Sequence, residues 1–208
     1  NWRFPDTSGS RPDARPEKPR HAPGPTLESP GVDRYWLLTN TCDGTRVPGD
    51  GRGFVGRVWE RRNDDPEDKS RIAHAIPGTP CDEDMPGLQD ASRELMKGPP
   101  IFLTAPQAER LLDQFRETAR HRGWELLAVA IMPDHFHIVV GVLGDPKPAK
   151  VLGDFKAWGT RCLTKFFGEP ASTTWWTESG SKRKLPNDLA IAGAVNYTLY
   201  EQPDPLVT

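Results

Sequence analysis

The run "AVAIMPDHFHIVVGV", residues 128–142, constrains this chain more than any other stretch. The apolar segments on either side of Pro133 and Asp134 read as two strands, "WELLAVAIM" (124–132) and "HFHIVVGVL" (135–143). So short a connection joins antiparallel neighbours and leaves no room for a crossover. His135 and His137 stand two places apart in the second strand. Side chains alternate along a strand, so both imidazoles point to one face while Phe136, Ile138 and Val140 point to the other. The two histidine Cα atoms then lie about 6.5–7 Å apart, and imidazoles leaning together can share an ion at about 2.0–2.1 Å each. The ordinary alternative is a pair of hydrogen-bonded histidines in a sheet, because two ligands do not complete a metal site.

Around this hairpin the pattern alternates between strands and helices. "RYWLLTN" (34–40) is an apolar, aromatic strand ending in turn chemistry. "TRVPGDGRGFVGRVWE" (45–60) reads as a turn followed by a short strand, and residues 61–100, charged and rich in Pro and Gly, as a long surface excursion. A helix starts at Thr104, with Gln107 three residues on completing a capping box and Pro106 in the first turn. Ala108, Leu111, Leu112, Phe115 and Ala119 share one face, and Gly123 closes it. A second helix spans 149–168, with Val151, Leu152, Phe155, Trp158, Cys162, Leu163 and Phe166 as its apolar stripe. "TTWWTES" (173–179) reads as an edge strand, "GSKRKL" (180–185) as a basic turn, and 186–203 as a last helix ended by Pro203. That order predicts an α+β sandwich of ferredoxin-like or RRM-like type, an antiparallel sheet with helices mainly on one face. Residues 1–30, rich in Pro, Arg, Ser and Gly, are expected to be a disordered tail, and 31–208 the folded domain.

Composition narrows the function classes. No apolar run approaches the roughly 20 residues of a membrane span, so no membrane partner is expected. No signal-peptide core is seen at the start. Cys42, Cys81 and Cys162 are odd in number and far apart, which argues against a disulfide framework or zinc knuckle and fits a reducing, cytoplasmic setting. A net charge of −2 gives no bulk attraction to nucleic acid, so any such contact must come from a local basic patch.

"MPDHFHIVV" resembles the His-hydrophobe-His motif of the single-tyrosine HUH transposases, the insertion-sequence type and their REP-associated relatives. "LLTNTCDGTRVPGDGRGFVG", "WWTESGSKRKL" and "AVNYTLYEQPDPLV" are similar to other parts of that family, so the resemblance spans about residues 34–208. It implies a DNA transposase that cleaves and rejoins single-stranded DNA through a metal-assisted tyrosine and a 5′-phosphotyrosine intermediate, with Mg²⁺ or Mn²⁺ as cofactor. It also implies single-stranded or hairpin DNA as partner, a cytoplasmic, nucleoid-associated location, and a homodimer as the expected assembly. The alternative is a domesticated, transposase-derived DNA-binding protein with little or no strand-transfer activity.

In that family the nucleophile is followed four residues later by an amide that completes the metal site. Of the three tyrosines, Tyr35 falls in the first strand, while Tyr197 and Tyr200 share the last helix. From Tyr200 the fourth residue is Asp204, beyond Pro203; from Tyr197 it is Glu201. Tyr197 is therefore the expected nucleophile, with His135, His137 and either Glu201 or Gln202 as ligands. Glu201 is placed ahead, because Gln202 would lie about 140° round the helix from Tyr197. For DNA contact, Lys182, Arg183 and Lys184 would neutralise phosphates, and Trp176 would stack on a base. A solvated basic turn with both tryptophans in the core fits the same residues.

Overall fold

A computed structural model of the chain describes residues 32–54, 57–61, 69–73 and 85–208. The expected tail, 1–30, lies outside the described residues. In chain order the elements are β1 (Arg34–Thr41), β2 (Arg57–Arg61), β3 (Lys69–Ala73), α1 (Pro86–Glu94), α2 (Ala105–Arg122), β4 (Glu125–Ile131), β5 (His135–Val142), α3 (Pro148–Phe167), β6 (Ser181–Leu185) and α4 (Asp188–Tyr200). The main sheet runs β4-β5-β1-β6, antiparallel throughout. With β1-α2-β4-β5-α3-β6 as its connectivity, this is the expected ferredoxin-like α+β arrangement.

The helix ends are set locally. The Thr104 backbone N–H donates to Gln107 Oε1 at 2.8 Å at the start of α2, and Gly123, at φ 65°, closes it in the left-handed conformation that glycine adopts without strain. The apolar stripes of α2 and α3 cover one sheet face, burying Leu38, Phe136, Ile138, Val140 and Val142 against Leu111, Phe115, Phe155 and Leu163. Phe136 meets Phe115 and Trp176 edge-on at centroid distances of 5.0 and 5.3 Å. The other face is covered by α4, where Leu37, Val139 and Leu185 pack against Ala194, Val195 and Leu199.

Four readings of the sequence change. Residues 181–185 are the edge strand, paired with β1 from Thr39↔Ser181 to Tyr35↔Leu185, while 173–179 holds only the isolated bridge Cys42↔Trp176. The apolar "TTWW" suggested a strand, yet lysines are well suited to an edge strand, where charge blocks further pairing. The stretch read as an excursion contains, in its described parts, strand β3 and helix α1; β3 pairs with β2, which lies where the short strand after the 45–60 turn was expected. Trp158 and Phe166 leave the α3 stripe for solvent, each with an arginine guanidinium over its ring (Arg161 and Arg110, at 4.6 and 4.7 Å). The last helix stops at Tyr200, three residues before Pro203.

Phe136 should carry a large share of the stability, because its fully buried ring packs edge-on against Phe115 of α2 and against Trp176 within the core. Phe136→Ala is expected to cost about 3–5 kcal/mol, read as a lower denaturant midpoint at unchanged slope.

Candidate functional site

The register of β1 on β5 opposes Thr39 to His137 and Thr41 to His135. On this face Thr39 Oγ1 lies 2.6 Å from His137 Nδ1. Asp134 Oδ1 lies 2.5 Å from His135 Nδ1. Both imidazoles therefore have Nδ1 held, which makes Nε2 the atom of each that a ligand would meet, and His137 also hydrogen-bonds with Gln202. The rings stand 5.0 Å apart, nearly perpendicular. Two imidazoles bonded to one ion at 2.0–2.1 Å would put their ring centres about 4.5–5.5 Å apart, so the pair fits a shared cation.

Charge is arranged to match. The hydrogen bond to His135, reinforced by the Arg46 guanidinium at 3.4 Å, lowers the Asp134 carboxyl to about 2. Burial pushes His137 down to about 4, the neighbouring His135 adds to this, and a hydrogen bond with Gln202 opposes it. His137 is thus neutral at ordinary pH, the state in which imidazole binds a metal.

The chain end completes the cluster. Tyr197 sits edge-on to His137, with ring centroids 5.4 Å apart, and is 39 % exposed. Tyr200, about one turn further along the same helix, is 77 % exposed. Because the helix stops at Tyr200, Glu201 and Gln202 do not keep the angular positions of an unbroken helix. Glu201 is solvent-exposed and accepts a hydrogen bond from Asn196 Nδ2 at 2.6 Å. Gln202 swings back, its Nε2 donating to the Tyr197 carbonyl at 3.0 Å. That leaves its amide oxygen for the histidine side. Asp204, at φ 44°, helps the chain to double back, and Leu206 and Val207 then hydrogen-bond to Ile131 at the β4 edge. Among the described residues no group of three His, Cys, Asp or Glu side chains could hold a metal ion. A third protein ligand to the two histidines would come from the Gln202 amide.

The basic run is divided by strand alternation. Arg183 opposes Leu37 and faces the histidine side, lining a cleft with His137 and Tyr197. Lys182 opposes Leu38 and Lys184 opposes Trp36, so both lie on the α3 side. There Lys156 donates to the Thr177 and Glu178 carbonyls, and burial lowers its amine to about 8. Trp176 is 4 % exposed, with Nε1 donating to Thr160 Oγ1 at 3.0 Å. Its ring belongs to the core and offers no face to a base. Thr39 and Arg46 carry no local sequence signal for these contacts, and Asp134 stands in the sequence as a turn residue. Asp134, next to His135, could have been read as its partner; Thr39 is 98 positions from His137 and only the strand register joins them.

Residues 100–180, which hold both histidines but not Tyr197, match the family model described as "Transposase IS200 like". The match bears out the resemblance drawn from the motif. No curated protein sequence matches the chain. Among solved structures, the chain is similar to a REP-associated tyrosine transposase bound to a REP hairpin (12% identity, TM-score 0.44, covering 80% of this chain and 65% of that one). It thus spans just under two thirds of that protein's length. It is also similar to a protein described as a transposase from Deinococcus radiodurans R1 (15% identity, TM-score 0.38, covering 80% and 89%).

His137 predicts an acid-side loss of stability. Unfolded histidine takes up a proton near pH 6.5, whereas folded His137 does so only near 4. The unfolded state therefore binds more protons in that window, and stability falls as pH drops through it, by about 3 kcal/mol at most. Urea midpoints between pH 7 and 4 should show this limb in the parent and not in His137→Gln.

Proposed function

We propose that this chain, a member of the IS200-like transposases by its match over residues 100–180, cuts and rejoins single-stranded DNA with Tyr197 as nucleophile. The observation that carries this reading is the meeting of the Tyr197 ring with His137, on the face that also carries His135. His135, His137 and the Gln202 amide would hold a divalent ion, Mg²⁺ or Mn²⁺; the amide oxygen suits either, and the two imidazoles, which prefer transition ions, favour Mn²⁺ of the two. When bound, the ion offsets charge on the non-bridging oxygens of a phosphodiester.

The remaining work falls to the chain's own groups. Asp134 and Thr39 hold the two rings by their Nδ1 atoms, which fixes the ring orientation. Tyr197 Oη bonds to phosphorus while the bond from phosphorus to the 3′ oxygen breaks. The phenol proton leaves to water, which the partial exposure of Tyr197 allows, and the departing 3′ oxygen takes up a proton. The product is a 5′-phosphotyrosine and a free 3′-OH. Because the new linkage is again a phosphodiester, a 3′-OH can reverse the step and join strands without another energy source.

The site supports action within one chain. α4 buries Ala194 and Thr198 in its own domain, and Leu206 and Val207 fasten the chain end to β4. This favours a nucleophile acting beside its own histidines over a homodimer in which the helix would serve the partner's site.

Two experiments test the reading. With single-stranded hairpin DNA and Mg²⁺ or Mn²⁺, the parent should give a covalent adduct on a denaturing gel; Tyr197→Phe should give none, and Tyr200→Phe should retain it. DNA binding with no adduct from the parent would point to a binding protein instead. For the cis arrangement, a mixture of Tyr197→Phe and His137→Ala should form no adduct. Recovery of activity in the mixture would mean that the helix serves a partner.

A further inference from the structure

We propose that the cleft beside Tyr197, between α4 and the β1–β6 side of the sheet, seats an unstacked base of the cut strand next to the reacting phosphate, an inference that rests on the function proposed above. The cavity measures about 570 Å³. His137, Thr39 and Ser181 form one cross-strand row on its floor, and Leu37 and Arg183 the next row along. Rows on one face of a sheet are about 6.5–7 Å apart, so Arg183 stands one row away from the nucleophile's neighbour. Its guanidinium can meet a phosphate flanking the one that reacts.

The opposite wall is the first half of α4. Leu189 lines the cleft and is 84 % exposed, an apolar side chain left in water where a flat apolar ligand could cover it. Gly193 stands in the interior of the same helix, although glycine is the poorest helix former after proline. Packing does not require it: a Cβ at this position would meet no atom within 4 Å. Any larger side chain would instead project beside the cleft. Apolar walls for the faces of a base and a cation for the adjoining phosphate suit such a slot to an unstacked base.

Gly193→Leu separates this role from a structural one. In a Tyr197→Phe background, so that cleavage does not intervene, anisotropy is measured with a labelled DNA hairpin bearing single-stranded flanks. The Leu variant should have a thermal midpoint at or above the parent, unchanged Mn²⁺ affinity, and DNA binding at least ten-fold weaker. Gly193→Ala should be more stable than the parent, with a smaller loss of binding. An abasic substitution at one flank position should weaken the parent's binding and add nothing in the Leu variant. If Gly193→Leu binds DNA as the parent does, or if no abasic position matters to the parent, the slot is empty in function and the proposal fails. Adduct formation by the unsubstituted protein is read separately, so a missing adduct counts against the cleavage reading, while the binding series alone decides the slot.

Discussion

The pairing of β1 with β5 is the constraint on which the rest depends. In the observed register Leu38, Phe136 and Ile138 face α2 and α3, while Leu37, Thr39, His137 and Val139 face α4. A slip of one residue would exchange these faces. It would push histidines into the aromatic core and expose Phe136 to the helix that carries Tyr197. The hydrophobic cost of that exchange is what makes the register single-valued, and so fixes the imidazoles where the phenol can reach them. The same alternation in β6 sends Arg183 to one side of the sheet and its neighbouring lysines to the other.

Rigidity and charge are distributed unevenly around the site. The histidines sit on a central strand, each ring held through Nδ1, and Asp134 is drawn in turn toward Arg46. These are supports of the kind that orient a metal ligand before the metal arrives. Tyr197 and Gln202, by contrast, belong to the last turn of a helix and the turn that follows it. Their placement depends on the apolar underside of α4 and on the backbone bonds that return the chain to β4. The burial that keeps His137 neutral comes partly from this same helix end, so packing Tyr197 against the sheet and holding the imidazole uncharged are one event.

Much of this was legible in the chain because it depends on neighbours in sequence. The capping box at Thr104 and Gln107, the glycine at 123 and the two-strand reading around Pro133 and Asp134 are local, and they stand. Local reasoning failed where neighbours in space decide. "TTWW" looks like a strand, but indole N–H groups that find Thr160 and Thr164 are better placed under α3. Trp158 and Phe166 fit the helical period, yet arginines on their own and the adjoining helix cover them at the surface. Gln202 appeared to lie round the helix from Tyr197 only for as long as the helix was assumed to continue.

By itself the sequence determined the order of β1, α2, β4, β5, α3 and α4, the antiparallel hairpin, and the presence of two imidazoles on one strand face, because periodicity and turn chemistry act over a few residues. It also confined the candidate nucleophile to two positions, Tyr197 and Tyr200, on one helix. Only the tertiary structure decided that α4 lies on the histidine face, with the Tyr197 ring against His137, Gln202 rather than Glu201 beside His137, and Thr39 behind the ring. Those choices follow from strand register and from where a helix ends against a sheet. Both are settled by burial between residues 60 to 100 positions apart, which no local pattern encodes.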